Sequence, residues 1–139
     1  MRRLIRLTKP VVVFPDAVLV TIQYLRTVVG TPVYSRVPSP RPAEFIRVRR
    51  LGGTRRSLIL DRPRIDVECW SDSEEGAEGL CARVRAYVLA MAGKRGDTTV
   101  YNVAEVSGPM WLPDSESGQP RYSFAVEFST RGTEMEKTA

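Results

Sequence analysis

Five arginines, Arg47, Arg49, Arg50, Arg55 and Arg56, crowd around the pair Gly52-Gly53. A guanidinium is permanently charged and presents a planar fork of donors that fits carboxylates and phosphates. Such a group can stand solvated, dock on an acidic protein surface, or neutralise phosphates whatever the base sequence. No aromatic residue lies between these arginines to stack on bases, and no recognition-helix motif accompanies them. Sequence-specific nucleic-acid reading is therefore disfavoured, and the cluster is read as a candidate assembly interface. Met110, Trp111 and Leu112 form a second candidate. They fall in a stretch from Ser107 to Pro120 that holds three prolines and two glycines and so reads as a loop. Loops are normally polar, so three large apolar residues there imply burial, either over the chain's own core or against a partner.

Catalytic chemistry finds little to work with. The chain has no histidine, which removes the commonest general base and every Ser-His or Cys-His nucleophile pair. Carboxylate and lysine chemistry stay open, but GxSxG, GxxxxGK[ST] and GxGxxG motifs are all missing. Cys69 and Cys81 are too few for a disulfide framework and, without histidine, cannot complete a four-ligand zinc site. They read as small core residues. The sequence is thus expected to belong to a protein that is not an enzyme and needs no cofactor or metal.

The elements that would position these residues follow from periodicity. Pro15-Asp16 opens a helical pattern in which Val18, Ile22, Leu25 and Val29 share a stripe, with Gly30 as a left-handed stop and Pro32 beyond it. Pro32, Pro38, Pro40 and Pro42 make an extended connector that cannot enter a sheet interior and is expected to cover or reach. Phe45 to Leu51 reads as a strand, Gly52-Gly53 as its turn, Ser57 to Leu60 as the return, and Ile65, Val67 and Cys69 as the buried positions of a further strand. Trp70 ends that strand and is expected to pack under the helix that follows. Ser71 to Glu74 matches a capping box with Ser71 as N-cap, and the helix carries Ala77, Leu80, Val84, Val88 and Met91 on one side, closed by Gly93 and Gly96. Thr98 to Val106 reads as a strand, and Tyr122, Phe124, Val126 and Phe128 alternate with Ser123, Ala125, Glu127 and Ser129 in another. The sum is an α+β fold: a mainly antiparallel sheet with two helices packed on one face, plus an extended hairpin.

The 139 residues fit one domain. We divide them into a basic arm over 1–10, the domain over 11–131 and a polar, unstructured tail over 132–139. No window approaches the roughly 18 apolar residues of a membrane span. Met1 to Arg6 resembles the basic end of a signal peptide, but no apolar core or cleavage site follows, so synthesis in the cytoplasm is expected. The net charge of +5 is uneven: residues 1–69 hold 14 basic and 5 acidic side chains, and residues 97–139 hold 3 basic and 7 acidic. That split suits either a nucleic-acid surface or two unlike edges that meet head to tail.

Several phrases together resemble a known family. They are Pro-Arg-Pro-Ala-Glu-Phe-Ile-Arg-Val-Arg-Arg-Leu-Gly-Gly at 40–53, Asp-Arg-Pro-Arg-Ile-Asp-Val-Glu-Cys-Trp at 61–70, and the capped helix after it. The last run is Val-Ser-Gly-Pro-Met-Trp-Leu-Pro-Asp through Gln-Pro-Arg-Tyr-Ser-Phe at 106–124. In this combination and order the chain resembles the tail terminator proteins of long-tailed, siphovirus-type actinobacterial phages. The resemblance implies a subunit of a ring, sixfold in expectation, at the tail-neck junction of the virion and assembled in the host cytoplasm. The ring would cap the tail tube, block further addition of tail tube protein and offer a docking face to head-completion or stopper proteins. Genomic DNA would pass through its lumen without sequence recognition. The family defines no catalytic residues. Another head-to-tail connector, such as a stopper or neck subunit, and a basic non-specific nucleic-acid-binding module are the alternatives.

Overall fold

Asp16 opens the first helix by accepting a hydrogen bond from the Leu19 amide at 3.1 Å, as its place behind Pro15 foretells. The computed structural model describes residues 8–136 of the chain. The basic arm lies, for residues 1–7, outside the described residues, as do 137–139 of the tail. In chain order the elements are β1 (Val11–Val13), α1 (Ala17–Val28), β2 (Val33–Tyr34), β3 (Phe45–Arg55) and β4 (Leu60–Trp70). They continue with α2 (Glu74–Leu89), β5 (Gly93–Arg95), β6 (Thr98–Trp111), β7 (Arg121–Arg131) and β8 (Thr133–Met135).

Six strands form one sheet in the order β2-β3-β4-β7-β6-β5. Every pairing in it is antiparallel except the short parallel contact of β2 with β3. Both helices lie on one face, so the fold is the expected α+β arrangement with a long hairpin. The reason is alternation. Val67 sits beside Val48 and Phe124, and Ile65 beside Val126, so one side of the three central strands is wholly apolar. Leu25 of α1 and Leu80, Val84 and Val88 of α2 close over it without residual exposure to speak of. Each such side chain contributes about 1.5–3 kcal/mol on burial. Cys69 and Cys81 are free and buried in this core.

Several local expectations need correction. Val29, in extended backbone, rather than Gly30 ends α1, its amide bonding to the Leu25 carbonyl. Ser73, not Ser71, caps α2, accepting from the Gly76 amide at 3.0 Å; Ser71 instead donates to Glu44. This helix stops at Leu89, and Gly93 and Gly96 belong to a hairpin, with Gly96-Asp97 as the turn between β5 and β6. Gly52-Gly53 is not the turn of the arginine hairpin. Both residues lie inside β3 with positive φ, at a register shift between Arg50 and Gly53, and the chain reverses at Arg56–Ile59. A side chain on Gly53 would collide with the backbone of Arg62 and Pro63. This bulge is also what lets Pro63 sit within a central strand, since the ladder is already interrupted there. The return strand and the strand carrying Ile65 are accordingly one element, β4. Finally, Thr133–Met135 of the supposed tail pairs with β1 as β8, giving its backbone groups the partners a free tail would lack.

Candidate assembly interface

The face of the sheet away from the helices carries charge along its central strands and apolar side chains only toward its margins. Alternation brings Arg47 and Arg49 of β3, Arg62, Arg64, Asp66 and Glu68 of β4, and Arg121, Ser123 and Glu127 of β7 to this one side. Glu68, almost entirely buried, is paired with Arg47, with Arg121 at 3.4 Å and with Arg49 at 3.7 Å. Asp66 takes Arg49 at 3.0 Å and a hydrogen bond donated by the Ser123 hydroxyl at 2.6 Å. Glu127 is approached by Arg64 at 3.3 Å, Arg62 at 3.8 Å and Arg56 at 3.9 Å. Arg50 lies on the other side of β3 and reaches Asp61 at 3.1 Å.

The five arginines singled out from the sequence therefore divide. Arg47, Arg49 and Arg50 are bound by carboxylates of their own chain. At the tip, Arg55 donates to the carbonyls of Ser57 and Leu58 and lies over the Phe14 ring. Arg56 is the freest, with more than half its side chain exposed and only the long contact to Glu127. Sequence reasoning missed the acidic partners. Their signal was present in the alternation Asp66-Val67-Glu68, which opposes Arg49-Val48-Arg47 charge for charge.

Met110 and Trp111 are not in a loop; they end β6, and Leu112 follows. All three are half exposed, at 47%, 42% and 42%. Trp111 leans on Tyr122 of β7 with ring centroids 5.3 Å apart, so it covers the neighbouring strand without entering the core. Met110, Leu112 and Val106 form one wall of a trough of about 310 Å³ on the charged face, with Leu51 on the opposite wall. Leu51 and Met110 come from strands separated by two others, so this face of the sheet is concave.

One end of the face is locked by two connectors. Arg41, from the proline-rich segment, donates to Asp114 at 3.2 Å, Ser117 at 2.8 Å and Gln119 at 3.4 Å. The connector covers its own chain here. Asp114 is held down to about 2 by the Ser117 hydroxyl, the Ser117 amide and Arg41. Trp70 is buried on this side of the sheet, against expectation, because alternation along β4 places it with Glu68 rather than beneath α2. It stacks on Phe45 at 4.9 Å, with Arg41 and Arg121 over its ring at 5.2 and 4.8 Å.

Among the described residues no group of acidic and cysteine side chains has metal-binding geometry, and no helix is long and apolar enough to cross a membrane. No protein-family model matches the chain, and no curated protein matches it in sequence.

Proposed function

We propose that the chain is a ring-forming structural subunit of the head-to-tail junction of a long-tailed phage, acting as its tail terminator. The observation that carries this reading is the surface of β6. From Tyr101 to Trp111 it presents exposed Tyr101, Val106, Met110 and Trp111 and has no neighbouring strand on its outer side among the described residues. Large apolar side chains on an uncovered strand edge suit a protein whose working state is an assembly. The ordered resemblance to tail terminators supplies the assembly: a ring on the end of the tail tube, stopping addition of tube protein and receiving head-completion proteins. The arginine face fits DNA passage rather than DNA capture, since most of its guanidiniums already have carboxylate partners.

The test is electron microscopy of the purified protein alone and with tail tubes. Rings, or caps on tube ends, are expected. A protein that stays monomeric and never associates with tubes refutes the reading. DNA affinity should be weak, indifferent to sequence and steeply reduced by salt. Tight binding to one site would favour a nucleic-acid-binding module instead.

A further inference from the structure

Both long edges of the main sheet are open. Strand β5 covers only Thr98–Val100 of β6, and β2 covers only Ile46 and Arg47 of β3. The remaining lengths, Tyr101–Trp111 and 48–55, have no strand on their outer sides among the described residues. An open edge is a template for another chain, and proteins that stay monomeric protect it with charge, proline or short length. These two edges differ in that respect. On the β3 edge Arg49 and Arg50 are paired with Asp66 and Asp61, but Arg55, bound only to carbonyls, and the exposed Arg56 beside it keep positive charge that disfavours a second β3 edge. The β6 edge has one charged residue, Glu105, already held by Arg85 of α2, and one proline, Pro109, whose missing amide leaves its far end a poorer template than residues 101–108. Tyr101, Val106 and Met110 stand exposed along it.

Strand direction adds a geometric condition. Strands β3, β4, β7 and β6 alternate in direction across the sheet. In an even number of alternating strands the last runs antiparallel to the first. A second copy in the same orientation therefore offers its β3 to β6 as the next antiparallel strand, with no reversal of the subunit. The register shifts of β6 against β7 strengthen the local twist and curl, which a sheet needs if it is to close on itself.

We propose that residues 101–108 of β6 pair antiparallel with the outer edge of β3 in a second copy of the chain. The contact is heterologous, so an open row of subunits keeps one free edge of each kind until the circle closes. This rests on the ring reading above and deepens it. Its consequence is orientation: the helices would lie on the outside and the arginine–carboxylate face would line the lumen.

The test uses two single-cysteine variants, Leu51→Cys on β3 and Val106→Cys on β6, with a short bis-maleimide linker. Cys69 and Cys81 are buried, and the parent chain serves as the control for them. A covalent pair is expected when the two variants are mixed, and not from either one alone. Self-linking by Val106→Cys at the level of the mixture would mean β6 pairs with β6, which overturns the proposal. Rings seen by microscopy with no linking in any sample would overturn it too while leaving the ring reading standing; failure to form rings or tube caps would remove both. A second variant, Val106→Lys with Met110→Lys, is expected to keep the parent circular dichroism spectrum and to lose the assembled species. Normal assembly by that folded variant also overturns the proposal.

Discussion

On the helix-covered face of the sheet, Val67, Phe124 and Val126 have lost contact with water, whereas on the reverse of the same strands Glu68, Asp66 and Glu127 gather arginines around themselves. The two faces share a backbone and a register, so the difference lies in side-chain chemistry alone. Apolar burial is non-directional and adds with area. Ion pairs that reach water contribute little net energy, because desolvation and side-chain ordering offset the attraction. The charged face is thus positioned by the fold far more than it drives the fold. It also cannot serve as a simple cationic patch, since its guanidiniums are occupied.

The apolar face should give the largest effect when mutated. Phe124→Ala is expected to destabilise the chain by about 3–5 kcal/mol, the usual cost of emptying a core aromatic position. Urea unfolding followed by circular dichroism measures it. A loss under 1 kcal/mol, judged against that scale, would mean the helices do not hold the sheet as described. On the opposite face, Glu68→Ala should cost less, about 1–3 kcal/mol. Its carboxylate is buried, but when it is gone Arg49 keeps Asp66, Arg121 keeps the Leu112 carbonyl, and Arg47, with 22% of its side chain exposed, can reach water. A cost for Glu68→Ala equal to that of Phe124→Ala would show that the ion pairs carry stability in their own right.

A smaller effect concerns the lock at the end of the charged face. The Asp114 carboxyl is depressed from its ordinary 3.8 to about 2, first by the Ser117 hydroxyl and then by the Ser117 amide and Arg41. A depressed carboxylate contributes stability above its unfolded value and loses it as pH falls through its folded value. The contribution is therefore intact at neutral pH and disappears between about 4 and 2. The Asp114 carboxyl resonance in NMR should titrate near the low end of that window, and in Ser117→Ala it should move back toward 3.8. An unchanged titration in Ser117→Ala would remove the hydroxyl as its main cause.

Much of this architecture is legible in the residues. The stripe on α2 and the alternation of β7 announce themselves because each buries one face of a regular element. The arginine hairpin was harder, since two glycines in series serve a turn or a bulge equally well, and only the register of β4 decides between them. The end of β6 was obscured by Gly108 and Pro109, which read as loop breakers but are tolerated on a strand with a free edge. The acidic partners of Arg47 and Arg49 lie on a different strand. No spacing within β3 reveals them; the match appears only when two alternating patterns are laid side by side.

The base of the hairpin and its tip can be separated by mutation. Arg47, Arg49 and Arg50 are committed to Glu68, Asp66 and Asp61, so reversing any of them disturbs the fold's own pairs before it disturbs a partner. Reversing both tip residues at once is also a mixed experiment, because Arg55 ties down the turn through the Ser57 and Leu58 carbonyls. Arg56→Glu is the cleaner change. Its guanidinium stands 3.9 Å from Glu127 with more than half of it exposed, and Glu127 retains Arg64 and Arg62 when it leaves. Stability should move by no more than about 0.5 kcal/mol, as for other surface substitutions. Assembly should respond more strongly if the tip touches a neighbouring subunit or the tail tube, since like charge placed against a carboxylate partner is repulsive. The expected outcome is a folded protein that forms rings or caps tubes poorly in low salt and recovers in part as salt screens the repulsion. Unaltered assembly at every salt concentration would make the tip a solvated turn and leave the open strand edges as the whole of the interface.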